Sequence, residues 1–230
     1  MSAPLVVIQA RLGSSRFPGK VLEDIGGFPA LFHTIMRAKH ALPHSRVVVA
    51  APADDVPEMM AHCFGDYFGW NGPENDVLGR FFAATRLSRA TTIVRLTGDC
   101  PFVDPVGIRA VVEAVTSGEA DYAWTGDQVN GLDAEAFSLD LLTRANRHAS
   151  EPYDREHVTP WVRRHAGRVF RYAGYDMLPR YRWTLDTEDD LSFLRDVARL
   201  TDVTPPDPTP AALHALIQTH PELQRLEHAA

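Results

Sequence analysis

A buried strand followed at once by a loop of glycine, serine and basic residues is the most constraining feature of this sequence. The run Leu5-Val6-Val7-Ile8 is continuous, apolar and mostly β-branched, and it gives way to the loop at Arg11. An unbroken apolar run indicates a strand buried on both faces, as in a parallel sheet covered by helices. Because ligands of open parallel sheets bind at the carboxyl ends of the strands, a ligand is expected at this loop.

Strands and helices continue to alternate over the first half of the chain. Further strands are predicted at residues 46–51, 66–70 and 92–96, and helices at residues 30–42, 54–64, 76–87 and 104–116. In the first helix Leu31, Ile35 and Ala38 recur at helical spacing, and Pro43 ends the helix because its ring forbids continuation. Alternation this regular predicts an α/β fold with a mostly parallel sheet and helices on both faces.

After residue 117 the predicted elements become shorter and less regular. Strands are predicted at residues 121–125, 134–137, 168–173 and 181–185, and helices at residues 139–149, 158–165 and 187–200. We interpret residues 117–185 as an extension of one domain that spans residues 1–203. Residues 204–210 contain four prolines and predict a stiff linker, and residues 211–230 predict a helical tail.

Charge and cysteine content exclude several classes of protein. The chain has 23 basic and 30 acidic residues, and this net charge of −7 argues against an extended nucleic-acid surface. Its two cysteines, Cys63 and Cys100, lack the paired spacing of a disulfide framework or zinc site. No apolar run approaches the roughly 18 residues of a membrane span, and the apolar opening is too short for a signal peptide. We therefore expect a cytoplasmic protein without a membrane span.

The loop after the first strand, Arg11-Leu-Gly-Ser-Ser-Arg-Phe-Pro-Gly-Lys20, has the composition of a polyanion site. Its glycines allow close approach of the backbone, and its serines offer hydroxyl and N–H groups. Arg11, Arg16 and Lys20 supply three cations that can pair with phosphates. The alternative is a surface loop whose glycines only form turns and whose basic side chains are solvated.

Two familiar phosphate-binding motifs do not match this loop. Five residues separate Gly13 from Gly19, and Val21 follows Lys20, whereas a Walker loop has four residues between its glycines and Ser or Thr after its lysine. A dinucleotide fingerprint of the type G-x-G-x-x-G is also absent, so nothing in the loop indicates hydride transfer.

The run Ile8-Gln-Ala-Arg-Leu-Gly-Ser-Ser-Arg-Phe-Pro-Gly-Lys20 resembles the signature of cytidylyltransferases that activate acidic sugars such as KDO and acylneuraminate. Within that group it is most similar to the branch of the spore coat polysaccharide biosynthesis protein F. The resemblance continues in order through Gly72-Pro-Glu-Asn-Asp76-Val-Leu, Arg95-Leu-Thr-Gly-Asp-Cys-Pro-Phe-Val-Asp104, Gly131-Leu-Asp133, Pro152-Tyr-Asp-Arg-Glu-His-Val-Thr-Pro160 and Leu185-Asp-Thr-Glu-Asp-Asp-Leu191.

This resemblance implies a Rossmann-like fold of the nucleotide-diphospho-sugar transferase type. It also implies transfer of CMP from CTP to an acidic or modified sugar, with release of pyrophosphate and dependence on Mg²⁺, in surface polysaccharide biosynthesis. The family is often dimeric, so a homodimer is expected. Two rival interpretations remain: a sugar-1-phosphate nucleotidyltransferase or glycosyltransferase that uses another nucleotide, and a nucleotide-binding partner without catalysis.

Two aspartates match the metal ligands of the family. Asp99 follows the predicted strand at residues 92–96, and Asp186 follows the one at residues 181–185. Magnesium prefers hard oxygen ligands and commonly takes one or two carboxylates together with phosphates. The residues themselves leave alternatives open, namely a turn residue for Asp99 and, for Asp186, a helix N-cap formed with Thr187. Asp104 before Pro105 is predicted to cap a helix.

The resemblance also assigns the remaining site residues. Nucleotide contacts are expected from Ala10, Arg11, Gly13, Ser14, Arg16, Lys20, Asp76, Leu78 and Thr97, with Arg80 a further candidate for base selection. The residues expected to act in catalysis are Arg11, Lys20, Asp99 and Asp186. The acceptor is expected to contact Asp133, Glu135, Arg155 and His157, although residues 154–157 could instead form a capping and salt-bridge cluster. Thr97 replaces a glutamine of KDO synthetases, a departure that bears on cytosine selection.

Overall fold

The computed structural model describes residues 2–226 of the chain. Its strands are β1 (Leu5–Gln9), β2 (Asp24–Ile25), β3 (Phe28–Pro29), β4 (Arg46–Pro52), β5 (Asp66–Trp70), β6 (Thr92–Thr97), β7 (Tyr122–Trp124), β8 (Glu135–Ser138) and β9 (Val169–Arg171). Its helices are α1 (Ala30–Ala41), α2 (Val56–His62), α3 (Val77–Ala84), α4 (Pro105–Thr116), α5 (Leu139–His148), α6 (Pro152–His157), α7 (Thr159–His165), α8 (Glu188–Leu200) and α9 (Pro210–Thr219).

A seven-stranded sheet in the order β5-β4-β1-β6-β8-β7-β9 forms the centre of the molecule. Strand β1 pairs in parallel with β4 on one side and with β6 on the other, and β4 pairs in parallel with β5. This half of the sheet confirms the parallel arrangement predicted from the sequence. Beyond β6 the sheet becomes mixed, because β8 pairs antiparallel with both β6 and β7.

Alternate residues of β1 belong to two hydrophobic cores on opposite faces of the sheet. Val6 and Ile8 join the core beneath α1 and α4, whereas Leu5 and Val7 join the core formed with α3, α5 and α7. All four side chains are fully buried. The apolar run in the sequence is therefore unbroken because both faces of the strand are covered, as the sequence predicted.

The strand predicted at residues 181–185 is wrong. This segment forms only isolated bridges, between Asn130 and Arg182 and between Tyr181 and Leu226. Its backbone instead bonds to loops, as when the Leu185 N–H donates to the Asp99 carbonyl at 2.8 Å. The side chains of Tyr181, Trp183 and Leu185 are buried in a third hydrophobic core, so this segment is held by side-chain packing and not by strand pairing.

Several predicted helices differ from the observed ones at their ends. The helix predicted at residues 54–64 is the shorter α2, and the one predicted at residues 76–87 ends in a 3-10 turn, Thr85–Leu87. The helix predicted at residues 158–165 begins one residue later, at Thr159, since Val158 adopts a φ of 68° and separates α6 from α7. Asp104 is confirmed as a helix cap, because its carboxylate accepts the N–H groups of Val106 and Gly107.

The carboxyl-terminal segment packs against the body of the molecule. The buried guanidinium of Arg37 donates hydrogen bonds to the carbonyl groups of Pro206, Asp207 and Pro208, in the predicted linker. Helix α9 then contributes Leu213 and Ile217 to the third core, to which α8 also belongs. It forms the first part of the helical tail predicted at residues 211–230, and a 3-10 turn, Pro221–Leu223, follows it; residues 227–230 lie outside the described part of the chain.

Between residues 2 and 226, no helix has the length and apolar character needed to cross a membrane.

Candidate functional site

The basic loop and the end of β6 enclose a cavity of about 320 Å³ at the carboxyl edge of the parallel strands. Residues from the loop that face it include Ala10, Arg11, Ser14, Arg16 and Lys20. A second cavity of about 720 Å³ adjoins the first on the side of the mixed strands. Four residues line both cavities, namely Thr97, Asp99, His157 and Asp186. The two cavities thus meet at both predicted metal aspartates.

The basic loop is closed by hydrogen bonds to its own backbone. The Leu12 carbonyl accepts from the N–H groups of Ser14 and Gly19, each at 2.9 Å. Gly19 adopts a φ of 73°, a left-handed conformation that favours glycine, and starts the 3-10 turn Lys20–Leu22. Leu12 is also anchored outside the loop, since its N–H donates to Asp55 at 2.8 Å. These bonds hold Lys20 at the wall of the cavity. Gly13 lies in the same loop, close to Glu74.

Lys20 joins the two predicted metal aspartates. Its Nζ lies 2.6 Å from Oδ2 of Asp99 and 2.7 Å from Oδ1 of Asp186. Arg16 reaches the same oxygen of Asp186 at 3.1 Å. Burial alone would lower the pKa of Lys20, but the charge of Asp99 and the hydrogen bonds to both carboxylates outweigh it, so the pKa is raised. Residues far apart in the sequence therefore form one charged cluster.

Helix α8 fixes the position of Asp186. The helix has a capping box in which Thr187 is the N-cap and Asp190 accepts the Thr187 N–H, so of the two residues considered for the cap, Thr187 fills it and Asp186 precedes it. Oδ2 of Asp190 also accepts the N–H of Asp186 at 2.9 Å. Arg182 bridges the two carboxylates, at 2.9 Å from each. Burial would raise the pKa of Asp186, but the hydrogen bond and charge of Lys20 outweigh it and lower the pKa.

The acceptor residues predicted from the resemblance fall into two groups. His157 lies at the junction of the cavities, and Asp133 lines the second cavity, where its carboxylate accepts the Gly131 N–H at 2.9 Å. Burial is the main cause that raises the pKa of Asp133 to about 6. Glu135 is buried and bonded to protein donors on Arg95, Tyr122, Thr159 and Arg163. Glu135 therefore holds the cavity wall together and has little capacity left for a ligand.

Like Gly13, the predicted site residues Asp76, Leu78 and Arg155 line neither cavity. Asp76 caps α3 by accepting the Gly79 N–H at 3.0 Å, and it forms an ion pair with Arg155 at 2.6 Å. Arg155 belongs to a capping and salt-bridge cluster, which was the alternative left open for residues 154–157. The side chain of Leu78 is fully buried in the core beneath α3, so it cannot contact a ligand in this arrangement.

A family model described as Cytidylyltransferase matches residues 5–202. The chain belongs to this cytidylyltransferase family. It is 30% identical to the spore coat polysaccharide biosynthesis protein SpsF of Bacillus subtilis (strain 168), over 96% of this chain and 97% of that protein. It is 36% identical to a 3-deoxy-manno-octulosonate cytidylyltransferase of Anaeromyxobacter sp. (strain K), over 49% of this chain and 47% of that protein.

A solved cytidylyltransferase from Leptospira borgpetersenii serovar Hardjo-bovis (strain JB197) has the same architecture as this chain. The TM-score is 0.86 at 26% sequence identity, and the match covers 100% of both chains. The family, the fold and the expected nucleotidyltransferase activity are thereby confirmed.

The carboxylates of this cytidylyltransferase fit the requirements of a magnesium ion. Asp99 and Asp186 present hard oxygen donors that both reach one atom, Nζ of Lys20. Within residues 2–226, no cluster of three or more His, Cys, Asp or Glu side chains forms a complete metal cage. A pair of carboxylates supplemented by phosphate oxygens is the usual arrangement for magnesium in nucleotide sites.

Sequence analysis missed three residues that build the cytidylyltransferase site. Arg182 holds Asp186, Trp124 lines the second cavity, and Arg163 lies over the Trp124 ring at 4.1 Å from its centroid. A signal existed only for Arg182, which precedes Asp186 by four residues and lies in the segment predicted as a strand at residues 181–185. Nothing in the sequence places Arg163 and Trp124 together, because they lie on separate elements, α7 and β7.

Proposed function

We propose that this cytidylyltransferase transfers CMP from CTP to an acidic or modified sugar, releases pyrophosphate, and depends on Mg²⁺. The observation that carries the proposal is the convergence of Lys20, Asp99 and Asp186 at the junction of the two cavities. A cationic loop suits a triphosphate, and the larger adjoining cavity suits a sugar. The names of the relatives support the same substrates, since one acts on 3-deoxy-manno-octulosonate and another serves spore coat polysaccharide biosynthesis.

The residues of the first cavity bind and orient the nucleotide. Arg11, Arg16 and Lys20 hold the β- and γ-phosphates, and their charges stabilise the pyrophosphate as it leaves. For this the Nζ of Lys20 turns from the aspartates towards phosphate oxygens. Magnesium, when bound by Asp99 and Asp186, supplies further neutralisation of charge at the α-phosphate.

The residues of the second cavity present the acceptor. Its hydroxyl approaches the α-phosphorus of CTP from the side of Asp133 and His157, and a new P–O bond forms as the bond to pyrophosphate breaks. The acceptor proton passes to a nearby base, for which the Asp133 carboxylate is suited by its raised pKa of about 6. Most of the acceleration comes from positioning and charge neutralisation. The homodimer and the cytoplasmic location stay predictions.

Pyrophosphate release tests the proposal directly. CTP, UTP, dTTP, ATP and GTP are each incubated with Mg²⁺ and a panel of sugar acids, amino sugars and sugar 1-phosphates. We expect release with CTP and a sugar acid or related modified sugar. A preference for another nucleotide with a sugar 1-phosphate would support the rival nucleotidyltransferase. Binding of CTP without turnover across the whole panel would support the non-catalytic partner.

Asp99→Asn tests the metal role of the carboxylate. We expect the fold to be kept and turnover to fall by about 100-fold or more, because one hard anionic ligand is lost. The readouts are pyrophosphate release and the circular dichroism spectrum. Asp140→Asn is the matched control, since Asp140 is an exposed carboxylate on α5, which lines neither cavity. Full activity in Asp99→Asn would remove the metal assignment.

A further inference from the structure

Val158, between α6 and α7, has a strained backbone. Its φ of 68° and ψ of −57° together lie outside the small left-handed region that residues other than glycine can adopt. Within residues 2–226 it is the only residue other than glycine with a positive φ. Valine suits such a conformation poorly, because its branched Cβ crowds the backbone. A strained residue persists only where its surroundings hold it, and such residues cluster at functional sites.

Contacts on both sides of Val158 hold it in this conformation. Its side chain is fully buried in the core that α3, α5 and α7 share. On the α6 side, Arg155 forms an ion pair at 2.6 Å with Asp76, the N-cap of α3. On the α7 side, the Thr159 hydroxyl donates to the buried Glu135 at 3.0 Å. The two helices are thus fixed separately, and the backbone of the residue between them carries the strain.

The break at Val158 decides which way His157 points. In one continuous helix over residues 152–165, side chains four residues apart would lie on the same face, so His157 would share a face with Trp161. Trp161 is buried in the core, and its ring stacks on that of His165 with 3.9 Å between the ring centroids. His157 is instead exposed and lines both cavities. A continuous helix would therefore turn His157 from the cavities towards the core.

We propose that Val158 is a positioning residue, whose strained conformation directs His157 at the acceptor. The inference rests on the proposed transfer of CMP. From the junction of the cavities, the imidazole donates a hydrogen bond to the acceptor hydroxyl oxygen and orients it for attack, while Asp133 takes the proton. Val158 touches neither substrate, since it lines neither cavity. Because the backbone already points the imidazole at the junction, little orientational freedom is lost when the acceptor binds.

The test compares alanine with glycine at position 158, by pyrophosphate release from CTP with the most active sugar acid of the panel. Both substitutions remove the buried methyl groups, but glycine adopts a positive φ without strain, whereas alanine favours a helix. We expect kcat to fall by about 10- to 100-fold in Val158→Ala, the usual cost of a small misplacement at a reacting group. Val158→Gly should keep more turnover than Val158→Ala. A role in packing alone gives the opposite order, since glycine removes more buried surface.

The variant His157→Ala shows whether Val158 acts through His157. In the His157→Ala background, Val158→Ala and Val158→Gly should have the same kcat, because no imidazole remains to be misplaced. A further fall for Val158→Ala in this background, as large as in the unaltered protein, would overturn the inference. Val162→Ala is the matched control, because Val162 is equally buried in the same core but lies within α7. It should lower the Tm and leave kcat at low temperature unchanged.

Crystal structures of the variants at position 158 locate His157 independently of turnover. We expect Val158→Ala to join α6 and α7 into one helix with His157 turned from the cavities, and Val158→Gly to keep the break. An unchanged position of His157 in Val158→Ala would overturn the inference. If Val158→Ala fails to fold, a loss of kcat in Val158→Gly as large as that in His157→Ala would overturn it instead. Absence of pyrophosphate release by the unaltered protein, together with the expected movement of His157, would count against the proposed function alone.

Discussion

Lys20 neutralises Asp99 and Asp186 in the free protein, at 2.6 and 2.7 Å from their oxygens. Two carboxylates so close to a common point would repel each other without a cation between them. The same ammonium is the one expected to hold phosphate once a nucleotide is bound. A single side chain thus stabilises the folded site and is available to the substrate.

Asp133 gives the site a predictable dependence on pH. Its folded-state pKa of about 6 exceeds the ordinary value of about 4, because burial disfavours the charged carboxylate. The free energy of unfolding therefore falls as the pH rises from about 4 to about 6 and Asp133 ionises. Above that range the loss of stability is complete. We expect Asp133→Asn to have a higher Tm than the unaltered protein at pH 7.5, with a difference that shrinks towards pH 4.

Thermal melts of Asp133→Asn across this pH range are the measurement. Asparagine still accepts the Gly131 N–H, so the comparison isolates the charge. Asp127→Asn is the control, since Asp127 is an exposed carboxylate at the same cavity and should give no pH-dependent gain. A gain in Tm for Asp133→Asn that is equal at every pH would contradict the burial argument.

Among single residues, the sequence predicted those site side chains that follow the ends of the parallel strands. Lys20 and Asp99 follow β1 and β6, which are neighbours in the sheet, so their convergence could be predicted. Asp186 was predicted to follow a strand that does not form, so its assignment depends on the resemblance. Its place depends on the bond between Leu185 and Asp99 and on Asp190, which no local pattern reveals.

Among the elements, the turn at Gly131 joins the second cavity to the segment that carries Asp186. Gly131 has a φ of 106°, and a Cβ there would lie 2.5 Å from the Trp183 carbonyl carbon and 2.7 Å from the Thr184 nitrogen. Both contacts are with backbone, so the clash cannot be relieved by a side-chain rotation. Glycine is therefore required by conformation and by space at once.

Gly131→Ala should lower the free energy of unfolding by roughly 2–4 kcal/mol, the sum of backbone strain and a forced shift of residues 183–184. Urea denaturation measures the change. Gly118→Ala is the matched control, because Gly118 also has a positive φ, of 80°, but has open space around its Cβ position. Equal losses in the two variants would show that the close approach to Trp183 contributes nothing.

Elements with strong periodicity were predictable, and those set by tertiary contacts were not. Helix α8 has Leu191, Leu194 and Val197 on one buried face and three acidic residues in its first turn. The segment at residues 181–185 also shows a period of two, yet it lies between loops and pairs with no strand along its length. The hairpin of β2 and β3 has only two residues in each strand, too few for a pattern to emerge.

In the whole molecule, Arg37 fastens the carboxyl-terminal segment to α1. Its substitution by methionine leaves the carbonyl groups of Pro206, Asp207 and Pro208 without this donor. We expect a loss of roughly 1–3 kcal/mol in the free energy of unfolding and faster hydrogen exchange in residues 204–219. Turnover at low temperature should be unchanged, because Arg37 lines neither cavity.

Calorimetry and hydrogen-exchange mass spectrometry measure these effects. Lys39→Met, at an exposed position on the same helix, is the control and should change neither. Unaltered exchange in residues 204–219 of Arg37→Met would show that α9 holds the segment without the arginine.

The fold as a whole was predictable where strands are parallel and unpredictable where the sheet is mixed. Fully buried strands such as β1 have continuous runs of apolar residues, and such runs can be recognised in the sequence. Strands β7, β8 and β9 have three or four residues each, and their order depends on contacts between distant loops.

The junction between the cavities has a consequence for protein engineering. Among residues 2–226, Thr97, Asp99, His157 and Asp186 are the residues common to both, so the other lining residues of that part of the chain belong to one cavity or the other. Substitutions confined to positions such as Trp124, Asp127 and Arg163 would change the second cavity, which is proposed for the acceptor, and leave the lining of the first cavity unchanged.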